Sequence, residues 1–260
     1  MNFTSKVCGL ALVAGVYASP AAAQDAAATT EAAAPAAAEP ASDFTISGGA
    51  TLVSDYRFRG ISQTDRRFAL QGSMTVSHSS GFYASVWGSS IDDYVAAGAD
   101  QEIDLIAGYK TTIGGTTIDG GVLYYYYPGS SGANTDFAEP YISVSHGFGA
   151  VTAKVSAAYA PKQKGLSIGS GKEDNLYLAG DLSAAVPGAP FTVSAHLGHS
   201  FGPSYLTIGK GYTDWSVGTA YTWKALTFGL SYVDANKSLW SPSGRNISNA
   251  GVVASVGVAF

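Results

Sequence analysis

Gly251-Val252-Val253-Ala254-Ser255-Val256-Gly257-Val258-Ala259-Phe260 alternates apolar and small side chains and finishes on an aromatic. At the two-residue period of a strand, Ala250, Val252, Ala254, Val256, Val258 and Phe260 share one face, with Gly251, Ser255 and Gly257 on the other. Soluble domains seldom end on a bare apolar strand, whereas bacterial outer-membrane barrels commonly end on one that stops at Phe. Phe260 is therefore expected to serve as an assembly signal read by barrel assembly machinery, and the rest of the chain should follow barrel rules.

The other end indicates export. Lys6 precedes a short apolar run, 7–18, followed by Ser19, Pro20 and Ala21-Ala22-Ala23. Residues 1–23 read as a signal peptide cleaved after Ala23, and the run is too short for a membrane-spanning helix. Cys8, the single cysteine, lies inside it, so the mature chain is expected to offer no disulfide and no thiolate metal site. Residues 24–42 are mostly alanine, interrupted by Pro35 and Pro40, without an apolar periodicity to pack; they read as a disordered Ala/Pro-rich periplasmic tail. The barrel domain is expected over 43–260.

Only 13% of the chain is charged, yet no apolar run of 18 residues exists beyond the signal, which excludes helical membrane spans. Alternation appears instead. Phe44, Ile46, Ala50, Leu52, Tyr56 and Phe58 fall on one face, and Thr45, Ser47, Thr51, Asp55, Arg57 and Arg59 on the other. Such a period-two pattern over about 10 residues is what a strand with one side in lipid and one toward a lumen requires. The pattern recurs over 67–78, 81–90, 101–111, 117–127, 137–146, 151–160, 175–185, 191–200, 213–223, 226–234 and 247–260.

The expected architecture is an all-β, up-and-down antiparallel transmembrane barrel of about 12 strands, with 10 or 14 as alternatives. Its short links, near 78–81, 112–115, 147–149, 186–190 and 224–225, all fall on the periplasmic side, and the longer ones outside. Aromatics near strand ends, among them Tyr56, Phe58, Phe82, Tyr83, Tyr124, Tyr126, Tyr159, Trp215 and Trp223, read as interfacial girdles. Closure matters because backbone amides in hydrocarbon must find partners within the protein.

Ser54-Asp55-Tyr56-Arg57-Phe58-Arg59-Gly60-Ile61-Ser62-Gln63-Thr64, with 68–72 and 81–88 after it, resembles the TorF family of porin-like proteins, also catalogued as Gcw_chp. Glu102-Ile103-Asp104, Tyr125-Tyr126-Tyr127-Pro128 and Glu139-Pro140-Tyr141 resemble later parts of the same family. The resemblance covers essentially 44–260. It implies an outer-membrane barrel of pore function in a Gram-negative bacterium and names no settled substrate.

Side-chain parity nominates the pore-lining groups: Arg57, Arg59, Arg67, Glu102, Asp104, Asp119, Glu139, Tyr141, Asp181 and Asp214. The three arginines bound the first hairpin, where they can screen anions or grip carboxylates and phosphates. A bracing role stands beside this one, in which they pair with Asp55, Asp65, Glu102, Asp104 or Glu139 across the barrel. The expected function is passive diffusion of small polar or charged solutes. Alternatives are a non-conducting surface barrel acting as receptor, adhesin or structural element, and an outer-membrane hydrolase.

Hydrolysis would need a Ser activated by a His. His196 faces inward, His199 nears a loop, His78 and His146 sit at turns, and no G-x-S-x-G motif occurs, so no enzyme activity and no catalytic residue is expected. No zinc spacing, phosphate loop or nucleotide fingerprint points to a cofactor or metal. A net charge of −5 gives no basic footprint for nucleic acid. The expected partners are outer-membrane lipid, the assembly machinery and a small polar solute.

Overall fold

A computed structural model describes residues 42–260. The signal-peptide reading, Cys8 and all but the last residue of the Ala/Pro-rich segment lie outside the described residues. Strand β1 (Phe44–Val53) leads into a short inward hairpin, β2 (Arg57–Phe58) and β3 (Ile61–Ser62). Next come β4 (Ala69–His78), β5 (Phe82–Ser90), β6 (Gln101–Ile113), β7 (Thr116–Tyr126), β8 (Phe137–Phe148) and β9 (Val151–Ile168). The wall is completed by β10 (Gly171–Ala185), β11 (Phe191–Phe201), β12 (Tyr212–Trp223), β13 (Leu226–Ala235) and β14 (Gly251–Ala259).

All but β2 and β3 form a closed antiparallel barrel of twelve strands, each paired to its neighbours in sequence order. Closure comes from β1 and β14, in register from Gly49 opposite Ala259 to Val53 opposite Ser255. Just beyond, Phe260 and Gly48 exchange two backbone hydrogen bonds of 2.9 Å. No wall strand is left with an open edge, the condition for a sheet in hydrocarbon.

Burial is inverted relative to a water-soluble protein. Ile46, Leu70, Val155, Leu197, Val217 and Val252 are exposed on the outer face. Gln71, Glu102, Asp104, Glu139, Asn175, Asp214 and Ser216 are buried within. Alternation in the sequence thus separates an apolar outer belt from a polar interior. The tight links at one end obey local chemistry. Gly81, for example, has φ +102°, and a Cβ there would meet the Lys110 carbonyl at 2.4 Å, so only glycine fits.

Three boundaries and one side-chain orientation depart from the sequence reading. β1 stops at Val53, and Tyr56 and Phe58 are buried inside the barrel instead of joining the outer girdle. Tyr83 is also interior, because Phe82 occupies the outward position and a strand alternates. The stretch 161–174, expected as loop, instead continues β9 and β10 as a protruding hairpin. β14 begins at Gly251, and 247–250 belong to the preceding loop, where the Ile247 carbonyl accepts from Ser62 N–H of the first hairpin. In the tyrosine run, Tyr124 and Tyr126 face out, while Tyr125 and Tyr127 are buried.

Candidate pore constriction

The segment immediately after β1 builds the site. Phe58 pairs with Ile61 across a two-residue turn, Arg59-Gly60, in which both residues have positive φ, 47° and 79°. That is the turn geometry that matches the twist of paired strands, and Gly at its second position suits it. Close packing adds a second reason for glycine: a Cβ on Gly60 would lie 2.8 Å from the Asp214 Cβ and 3.2 Å from the Ala235 Cβ.

The base of the hairpin is tied by its own polar side chains. Asp55 accepts from Arg57 Nε at 2.7 Å and from Ser62 Oγ at 2.5 Å. Gln63 N–H donates to the Tyr56 carbonyl at 2.7 Å, and Tyr56 N–H to Thr64 Oγ1 at 3.1 Å. A segment so self-satisfied can leave the wall without stranding backbone groups.

Its tip then reaches the far wall. Arg59 Nη2 donates to both carboxylate oxygens of Glu139 on β8 at 2.8 Å, and Nη1 to Asn175 Oδ1 on β10 at 3.0 Å. β8 and β10 flank β9, the strand opposite β1 in the ring. The guanidinium carbon lies 4.1 Å from the centroid of the Tyr177 ring and 4.7 Å from that of Phe58. The Tyr56 hydroxyl donates to Glu102 on β6 at 2.8 Å, and Arg57 Nη1 donates to the Asn249 carbonyl at 2.8 Å. Every charge the hairpin carries inward is therefore paired or hydrogen-bonded, as burial demands.

The outer end of the loop is latched to the loop before β14. Asp65 accepts from Ser241 Oγ at 2.6 Å and from Ser243 Oγ at 2.8 Å, and Arg245 donates to the Asp65 carbonyl at 2.8 Å. Burial opposes ionisation of Asp65, but the two serine hydroxyls and the Arg245 charge outweigh it, and its carboxyl is held below the usual range. Tyr94 donates to the Ser62 carbonyl at 2.6 Å; burial pushes this phenol up to about 12. Arg66 donates to the Ala250 carbonyl at 2.7 Å.

The hairpin separates two cavities. The inner one, about 100 Å³, is lined by Arg57, Arg59, Glu139, Tyr141, Asp181 and Asp214 among others. The outer one, about 340 Å³, has Phe58, Glu102, Tyr127 and Trp240 in its walls. In the inner cavity His196 stands between two carboxylates, Nδ1 2.7 Å from Asp181 and Nε2 3.0 Å from Asp214. The Tyr177 hydroxyl donates to Asp214 at 3.1 Å.

Of the residues that parity nominates, six line the inner cavity and Glu102 the outer one. Asp104 is fully buried one step below Glu102 on the same face of β6, and Asp119 accepts from Tyr83 at 2.7 Å deeper in the barrel. Arg67 is a correction. β4 begins only at Ala69, so Arg67 stays in the loop, where it is exposed and paired with Asp92. Asn175, Tyr177, Tyr125 and His196 also belong to the site, and strand parity alone points them inward. A criterion of formal charge passes over them, because they are neutral or aromatic. Tyr56 escapes the sequence reading because its apolar ring continues the lipid-facing row.

A family model described as a bacterial protein of unknown function, Gcw_chp, matches residues 37–260. No curated protein matches the sequence. Among solved structures, a NanC porin in a rhombohedral crystal form superposes with a TM-score of 0.55 at 13% identity, over 83% of this chain and 99% of that one. A structure from work on in-meso crystallization of membrane proteins gives 0.53 at 10% identity, over 83% of each chain. The outer membrane protein OpdK from Pseudomonas aeruginosa gives 0.42 at 13% identity, over 75% of this chain and 58% of that one. The first two likenesses are likenesses of fold.

Proposed function

The chain belongs to the Gcw_chp family of bacterial proteins, matched over most of its length, and on that premise we propose that it is an outer-membrane channel for passive diffusion of small polar or charged solutes. The observation that carries this reading is the hairpin 57–62 inside a closed barrel, with a polar cavity on its inner side and a second cavity outside. A loop turned into the lumen narrows the passage and puts fixed charges, Arg57, Arg59 and Glu139, where a solute must pass. The apolar belt and closed hydrogen bonding support residence in a bilayer, and the resemblance to TorF porin-like proteins supports the same role.

Planar-bilayer recording on the refolded chain tests it. Discrete conductance steps are expected, with a cation-to-anion permeability ratio that changes on Glu139→Gln. Absence of steps from protein with intact β-structure would overturn the proposal.

A second reading, a non-conducting receptor or structural barrel, is favoured by one fact: the hairpin crosses the lumen to the opposite wall and is buried along its length. Silent bilayers, with conductance appearing only when 57–62 is deleted, would select it. A hydrolase gains no such support, since the polar partners of His196 are Asp181, Asp214 and Tyr177 and include no serine. Barrel assembly machinery is the partner proposed for the β14 end, through Phe260.

A further inference from the structure

The outer cavity has a composition of its own. Phe58, Tyr94, Tyr127, Phe137, Tyr205 and Trp240 supply aromatic walls, and no Lys, Arg or His side chain is among the described residues lining it. Its one acidic side chain is Glu102, buried, accepting from the Tyr56 hydroxyl at 2.8 Å, with the Tyr127 hydroxyl also within hydrogen-bonding reach. These phenols orient the carboxyl group.

Two further groups wait for a partner. Asp104, two residues along on the same face of β6, is fully buried, and neither carboxylate oxygen has a hydrogen-bond partner. The hydroxyl of Thr135, in the cavity wall, is buried and likewise unpartnered. The wall register continues the acidic row inward. Asp104 stands opposite Tyr125, which stands opposite Phe137, and Glu139 comes two residues deeper on β8. An acidic row with no basic side chain at its outer end, capped by aromatic faces, attracts positive charge.

We propose that the outer cavity binds a small organic cation, an ammonium group carried on an apolar or aromatic body. The ammonium faces Glu102 with Asp104 behind it and Thr135 as an accepting hydroxyl, while the body lies against the aromatic walls. A bare divalent cation fits less well, because it requires about 6–8 oxygen ligands and the walls are mainly carbon. An anion would find an acidic side chain and no basic one in the described walls of this low-dielectric recess. Cavities of this kind, mostly apolar with a few convergent polar groups, are where small molecules dock.

The inference names a substrate class for the proposed channel and rests on that reading for its transport meaning, though not for binding. The test is isothermal titration of the full folded chain in detergent with 2-phenylethylamine, its neutral isostere 2-phenylethanol, and 3-phenylpropanoate at pH 7. The amine should bind at least tenfold more tightly than the alcohol, and the carboxylate should not bind. Glu102→Gln should bring the amine to the level of the alcohol, and Asp104→Asn should weaken it while leaving the alcohol unchanged. Circular-dichroism melting checks that both variants are folded. Equal binding of amine and alcohol by the unmodified chain overturns the proposal without recourse to a variant. So does an amine preference that survives both substitutions. Amine binding with silent bilayers would remove the channel and leave the site; conductance without amine preference would do the reverse.

Discussion

Arg59, at the tip of the hairpin that follows β1, and Glu139, on the far wall, are 80 residues apart in sequence, yet the guanidinium Nη2 is 2.8 Å from each carboxylate oxygen. Both side chains are almost fully buried, so each is the principal counter-charge of the other. One hydrogen-bonded pair fastens the hairpin tip to the far wall.

Removing one member should be costly. Arg59→Ala leaves Glu139 buried without its cation, and breaking such a pair typically costs about 3–5 kcal/mol. Thermal unfolding in detergent should shift down accordingly, and in the bilayer the unitary conductance should rise as the hairpin loses its far anchor. An unchanged melting temperature together with an unchanged conductance would count against the bridge.

Gly60→Ala should be damaging for two reasons. Its φ of +79° is strained for alanine, and the new Cβ would press on Asp214 and Ala235. A cost of about 1–3 kcal/mol, from left-handed strain and overpacking, is expected to fall on the hairpin before the wall. Limited proteolysis should then cut within 54–68 while the strands remain protected.

Asp65 sets the pH response of the latch between the first and last loops. Its folded carboxyl lies below the ordinary value, so its contribution is fully present above about pH 4 and disappears as pH falls through the lowered folded value. Loop 236–250 should stay protected from acid-active protease at mild acidity and open only in stronger acid. Asp65→Asn should expose the same loop at neutral pH. Protection that does not change between neutral and strongly acid conditions would refute the latch.

Phe260→Ala keeps the backbone bonds to Gly48 but removes the ring, which lies close over that glycine. Folding into vesicles should be slower and its yield lower, with selectivity of the inserted fraction unchanged. Normal insertion kinetics would remove any special part for the ring.

The wall is legible in the sequence because lipid and lumen impose opposite demands on alternate residues. Val252, Val256 and Val258 outside, and Asp214 and Ser216 inside, declare their faces with no knowledge of neighbours. The hairpin is illegible for the same reason. Tyr56 and Phe58 are apolar because they pack in the interior against Trp87 and Tyr125, with ring centroids 5.5 and 5.9 Å away, yet apolar rings at period two look the same whether they face acyl chains or aromatics. The partners that separate the two cases are remote: Glu102, which accepts from Tyr56, is 46 residues away, and Glu139, Asn175 and Asn249, which hold Arg57 and Arg59, are 80 to 192 away. Nothing local announces them. The buried carboxyl groups of Glu102 and Asp104 can be placed by parity, but the absence of a basic side chain among the described residues lining the cavity beside Glu102 cannot.

The inward hairpin also constrains the order of events when the chain is made. It directly follows β1 in the sequence, but its anchors on β6, β8 and β10 and in the loop before β14 are all encoded later. Until those strands arrive, Arg57 and Arg59 have only water and their nearest neighbours to satisfy them, and long-range contacts cost loop-closure entropy before they return anything. Docking of 57–62 is thus expected to come late, since it requires the ring to have closed with those strands in place.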